Sequence, residues 1–149
     1  MSLSDEAETN LVLLLFNNTN WANIGDATGL RGSSTAGVFY LTLHSADPGE
    51  TGTQSTNEVA YTGYARPSVA RSGAGWTCAV DTASNAGAVT WGSCTAGTAT
   101  ATHFGIGTAS SGAGHLVASG PLVEALAVGV GINPTAAIGQ LTASANVGV

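Results

Sequence analysis

Residues 37–49 read GVFYLTLHSADPG, and the reading of this stretch decides how the rest of the chain is parsed. Apolar and polar positions alternate, with Phe39, Leu41 and Leu43 on one side and Val38, Tyr40, Thr42 and His44 on the other. A period of two over such a run marks a half-buried strand. Asp47-Pro48-Gly49 then stops it. Proline presets φ at the first central position of a turn, glycine accepts the positive φ that a type II turn needs next, and turn aspartates bond their own backbone. On this reading Asp47, Pro48 and Gly49 form a structural turn, and His44 is a rim residue at the strand end.

Glu50 follows directly, so a histidine, an aspartate and a glutamate fall within one short segment. The sharper alternative is a metal or acid–base site built from His44, Asp47, Glu50 and a distant His103 or His115. Such sites need side chains converging from rigid elements. Three of these candidates sit on loops or edges, and their spacing matches no ligand motif. The turn reading is preferred, and no catalytic, cofactor-binding or metal-ligating residue is expected. The remaining motifs agree. GIGTAS (residues 105–110) lacks the third glycine and the following helix of a dinucleotide loop, and the chain has no phosphate-binding loop and no GxSxG elbow.

Working outward, short strand-like runs follow one another: NEVAYTGY, ARPSVARS, GWTCAV, SNAGAVTW, ATATHFGIG, GHLVASG, PLVEALAVG and a last run near AIGQLTASA. Gly, Ser and Asn separate them, with a long hairpin loop at Ser110–Gly114. Regular short strands with this punctuation predict a mainly β chain, an antiparallel β-sandwich or jelly roll. The N-terminus differs. Ser4 or Asp5 can cap a helix, Asp5, Glu6 and Glu8 suit its positive end, and Leu3, Ala7, Leu11, Leu14 and Leu15 recur at helical spacing. Asn17–Asn20 end it. The expected organisation is one domain over residues 1–149, with a helix and linker over 1–20 and a β-sandwich over 36–143.

Charged residues are only 8% of the chain, against about 25% in a typical soluble domain. There is no lysine, and Arg31, Arg66 and Arg71 are the basic residues of a chain with net charge −6. Phosphate neutralisation needs clustered Lys and Arg, which excludes nucleic acid as a partner, and the same argument excludes anionic membrane surfaces. The run Leu11–Phe16 follows acids rather than a basic region and is too short to span a bilayer, so a soluble chain made in the cytoplasm is expected. A free monomer keeps more surface charge than this and guards sheet edges with lysine or proline. The composition therefore points to a homo-oligomer or other assembly. Leu11, Leu14, Leu15 and Phe16 on the helix, with Arg66 and Arg71, are the candidate interface residues. Arg66 could instead pair with Glu58 across strands. Cys78 and Cys94 are read as free, cysteine behaving as a small hydrophobe.

LTLHSADPGETGTQSTNEV, GYAR with GWT, SNAGAV and THFGIGTASSGAG together resemble a family of small tailed-bacteriophage structural proteins, commonly labelled tail-fibre proteins. The resemblance runs from about Leu3 to Leu141. It departs at Pro67, where a β-branched residue is expected, implying an edge strand or bulge, and at the C-terminal ASANVGV, which lacks a clean closing strand. The resemblance implies a virion component assembled in the host bacterial cytoplasm, with the major capsid or tail proteins as partners. The function expected is a non-enzymatic structural one, either a capsid decoration (cement) protein on the outer shell or a tail-fibre-associated protein, acting by oligomeric packing. The alternative is a receptor- or glycan-binding module at the tail tip, which would need Trp21, Tyr61 and Tyr64 on one rim. A hydrolase using Asp47 and Glu50 is the least favoured reading.

Overall fold

Alternation at residues 38–44 produces β1 (Val38–His44), which pairs antiparallel with β6 (Ala99–Gly107), Leu41 opposite Ile106 and Leu43 opposite Phe104. The computed structural model describes residues 3–25, 29 and 32–145. It is mainly β, with antiparallel sheets and one N-terminal helix, an architecture consistent with a β-sandwich. The chain divides into two compact units, one of Met1–Val38, Ala70–Gly87 and Ile138–Val149, the other of Phe39–Val69 and Ala88–Ala137.

In the first unit, α1 (Asp5–Asn17) starts as its sequence requires. The Ser4 hydroxyl accepts the Ala7 N–H at 3.3 Å, and three acids sit in the first turn. Asn18 ends the helix in the left-handed conformation, φ 55°. The buried seam is Glu8, Val12 and Phe16, one face at i, i+4, i+8. That seam is displaced from the expected one: Leu11 and Leu14 are half-buried, and Leu3 and Leu15 are exposed. The helix packs on β3 (Trp76–Ala79) and β4 (Thr82–Asn85) of a sheet ordered β3-β4-β9. Phe16 meets Trp76 edge-on, ring centroids 4.9 Å apart. The closing strand that the C-terminal sequence seemed to lack is present as β9 (Thr142–Ser144), Ala83 facing Ala143. Asn85, 1% exposed, ties its approach by accepting the Leu141 N–H at 2.9 Å. Residues 146–149 of the C-terminal segment lie outside the described ones.

The second unit is built on a sheet ordered β2-β1-β6-β7, where β2 is Ser68–Ala70 and β7 is Leu116–Val128. Pro67 immediately precedes β2, an edge strand, as its missing N–H demands. Phe39, Leu41, Leu43, Phe104 and Ile106 are buried with Trp91, whose indole N–H donates to Leu41 O at 3.1 Å. Trp91 follows β5 (Val89–Thr90), which pairs with β8 (Thr135–Ala136).

Two segmentation differences are informative. NEVAYTGY is not a strand; it contributes isolated bridges, Glu58 with His44 and Thr62 with Ala96. GHLVASG and PLVEALAVG form one strand, β7, rather than two. Their junction is a bulge: Ala101 faces Leu126 and His103 faces Pro121, so five residues of β7 span two steps of β6.

Candidate functional site

Gly49 takes φ +72°, and its N–H donates to Asp47 Oδ1 at 2.9 Å. Asn57 Nδ2 donates to Asp47 O at 3.1 Å, closing the loop onto its return arm. Pro48 is buried, whereas Asp47 and Glu50 face outward.

His44 is not on the rim. It is fully buried at the end of β1, because the return arm 53–59 folds over that face of the sheet. Its Nδ1 lies 2.7 Å from Thr56 O, and its Nε2 lies 2.7 Å from Thr42 Oγ1. A carbonyl only accepts, so Nδ1 carries a proton, and in the neutral ring Nε2 accepts from the threonine hydroxyl. Both nitrogens are engaged. Burial holds its pKa below the usual histidine value, offset by the bond to Thr56 O and the nearby Glu58 carboxylate.

Beside it lies an ionic clamp. Arg66 donates from Nε to Glu58 Oε1 at 2.7 Å and from Nη2 to Glu58 Oε2 at 2.6 Å. Nη1 and Nη2 also reach Ala109 O and Gly112 O, at 2.9 and 2.8 Å, on the loop between β6 and β7. The Tyr64 hydroxyl donates to Glu58 Oε1 and accepts the Leu43 N–H. Hydrogen bonding to Glu58 raises the Arg66 pKa, and burial pushes the Tyr64 phenol far up, so neither group changes charge near neutrality. Gln54, fully buried, completes the anchoring: its amide oxygen accepts the Ala109 N–H at 2.8 Å and its backbone N–H donates to Ala113 O. Room for it comes from Gly107 and Gly114, where a Cβ would collide with the Gln54 side chain. Over the clamp lies a shallow depression of about 210 Å³ lined by Glu58, Tyr64, Arg66, Ser110, Ser111 and Gly112.

Four separate stretches, LTLH, TQSTNEV, GYAR and GIGTASSGAG, thus converge on one network that fastens two loops to β1. The family model described as Podophage GP4 fiber I protein gp80 matches residues 2–144, spanning all four. The chain belongs to this phage fibre family. No curated protein matches it. In this member of the fibre family, these stretches supply turns, a clamp and glycine clearances.

The residues read as interface candidates separate once their surroundings are visible. Phe16, 3% exposed, is core of the first unit, and Arg66 is turned inward with its guanidinium occupied. The pairing with Glu58 is the reading of Arg66 that the geometry supports. Arg71 also acts within the chain. Its Nη2 and Nε donate to Leu14 O and Leu15 O, at 2.9 and 2.7 Å, and Nη1 to Ala36 O. Those carbonyls are left open by the end of α1, and no basic residue stands in its last turn, so Arg71 supplies the missing cation from outside the helix. Leu15 is exposed; Leu11 and Leu14 are half-buried. His103, half-buried on β6, lies 2.9 Å by Nδ1 from Thr102 Oγ1, and His115 is exposed. Among the described residues no group of three or more His, Cys, Asp or Glu is placed to hold a metal. Cys78 and Cys94 are free thiols.

Tyr61 is 8% exposed, donates to Gly92 O, and meets Tyr64 edge-on at 5.3 Å; Trp21 is half-buried in the first unit. Sequence reading missed Gln54, Thr42 and Thr56 as members of the network. Gln54 had one usable signal, the two glycines that face it, but only the fold reveals which side chain they accommodate.

Proposed function

We propose that this fibre-family chain is a non-enzymatic structural component of the phage particle, associated with the tail fibre and acting by packing against further copies of itself. The observation that carries the reading is the bulge of β7. Val123 stands there fully exposed, with Glu124 and Ala125, the next two residues, also exposed, and Val117 exposed nearer the start of the strand. β7 is an edge strand of 13 residues with no lysine and only one charge, Glu124. Pro121 and the bulge blunt the free edge against simple strand addition. The contact surface is therefore the apolar knob rather than the backbone ladder. Apolar surface left in this way is a cost in a free monomer and a gain in an assembly.

The test is the molar mass of the full chain in solution and its copy number in purified particles. Val123→Asp should lower the oligomer mass without lowering the melting temperature, since the side chain touches nothing within its own chain. An unchanged mass in Val123→Asp removes β7 as the contact. Absence of the chain from particles removes the virion reading. A copy number approaching that of the shell protein transfers it to capsid decoration.

A receptor-binding reading is favoured by one feature, the depression over Glu58, Tyr64 and Ser110–Gly112, whose hydroxyls and carboxylate suit a polyhydroxylated ligand. Most of its polar atoms are already bonded within the chain, which ranks it second. A glycan screen without hits removes it.

A further inference from the structure

Three titratable side chains form a row across the sheet of the second unit. His44 is the register partner of His103 on β6, and on its other side it bridges Glu58 of the return arm. Cross-strand partners project from the same face, so Glu58, His44 and His103 are side-by-side neighbours on one surface of the sheet. Pro121 extends the row on β7 and contributes no charge. Arg66, on the segment leading to β2, closes the row through its clamp on Glu58.

We propose that the row Glu58–His44–His103 makes the segment 45–58 an acid-released latch, closed while His44 is neutral and opened by its protonation. The geometry carries this. His44 holds the return arm directly through Thr56 O, and through Thr42 it is locked against β1. Its ring fills the clearance that Gly105 leaves, where a Cβ would meet His44 Nε2 at 2.6 Å. Protonation puts a hydrogen on Nε2, turns the Thr42 hydroxyl from donor to acceptor, and places a charge in a site closed to water. Burial outweighs the charges facing the site. Glu58 favours a charged imidazole, but its carboxylate is already shared between Arg66 and the Tyr64 hydroxyl. The Arg66 guanidinium and the neighbouring His103 both oppose a charge on His44. Asp47 and Glu50 lie outward on the turn itself.

The direction of the pH effect follows from burial. His44 binds a proton less readily in the closed form than in the open form, so closure is fully supported above the ordinary histidine value and weakens as the pH falls below it. With an open-state value near 6.5, opening of the segment rises by up to about 30-fold between roughly pH 8 and pH 5.

The experiment is hydrogen–deuterium exchange of the full chain across that range, corrected for intrinsic exchange, read at residues 45–58 and compared with β6. The expected result is a rise confined to the segment in the wild type and its absence in His44→Gln. A wild-type segment whose opening does not change with pH overturns the proposal. So does a full response retained in His44→Gln, which would assign the effect to Glu58 and Arg66. If His44→Gln does not fold, the wild-type imidazole titration read by NMR decides: protonation of His44 in step with faster exchange supports the latch, and protonation without it overturns the latch.

Discussion

Arg66 grips Glu58 with two parallel hydrogen bonds, Nε to Oε1 at 2.7 Å and Nη2 to Oε2 at 2.6 Å, while its remaining donors hold the backbone of the β6–β7 loop. The arginine side chain is 3% exposed and the glutamate 17%. A pair this far from water is weak evidence of net stabilisation, since desolvation offsets much of the attraction. Removing one partner is another matter, because the other is left charged and unmatched. Arg66→Ala is therefore expected to lower stability by about 3 kcal/mol, and Arg66→Lys to recover little, since an ammonium cannot reproduce the fork. Urea denaturation of Arg66→Ala, Glu58→Ala and the double variant measures this. A coupling energy near zero would refute the clamp.

Gln54 and Gly107 are expected to be strongly non-additive. Gly107→Ala forces a methyl into the Gln54 amide and should cost about 2 kcal/mol, in the range of overpacked cores. In a Gln54→Ala background the same change should cost much less, because the obstructing side chain is gone. Equal costs in both backgrounds, read from denaturation midpoints, would show that Gln54 does not occupy that space.

Val80 is expected to be replaceable with profit. It sits at the β3–β4 turn with φ +53° and is 64% exposed, so a β-branched side chain occupies a left-handed conformation with little packing in return. Val80→Gly should raise stability by about 1 kcal/mol, visible as a higher melting temperature. A lower melting temperature would mean that Val80 makes contacts that outweigh its strain.

Arg71 is expected to hold the C-terminal end of α1. Arg71→Ala leaves the Leu14 and Leu15 carbonyls without their charged donor and should cost about 1–3 kcal/mol, with partial loss of helical circular dichroism. A variant with unchanged helicity and stability would show that water caps these carbonyls equally well.

How legible each element was depends on the range of the interactions that define it. The Ser4 cap, the Asn18 terminus, the strand 38–44 and the Asp47-Pro48-Gly49 turn rest on residues within a few positions of one another, and each forms where its local chemistry says. The edge role of Pro67 is of the same kind, since a missing N–H is a property of one residue. Misplacements arise where distant segments meet. His44 looked like a rim residue because nothing nearby in sequence reveals that residues 53–59 return over it. Phe16 looked available to a partner because Trp76, its actual neighbour, lies sixty positions away.

Taken alone, the sequence determined the β class, the N-terminal helix, the turn, the low charge and the family motifs. These follow from backbone preferences and side-chain periodicity, which act locally. Tertiary structure decided what the polar residues do. A buried Arg, Glu, Gln or His is stable only where partners satisfy it, and those partners come from loops brought together by folding. Arg66 and Arg71, which composition offered to a partner, were therefore claimed by the chain itself.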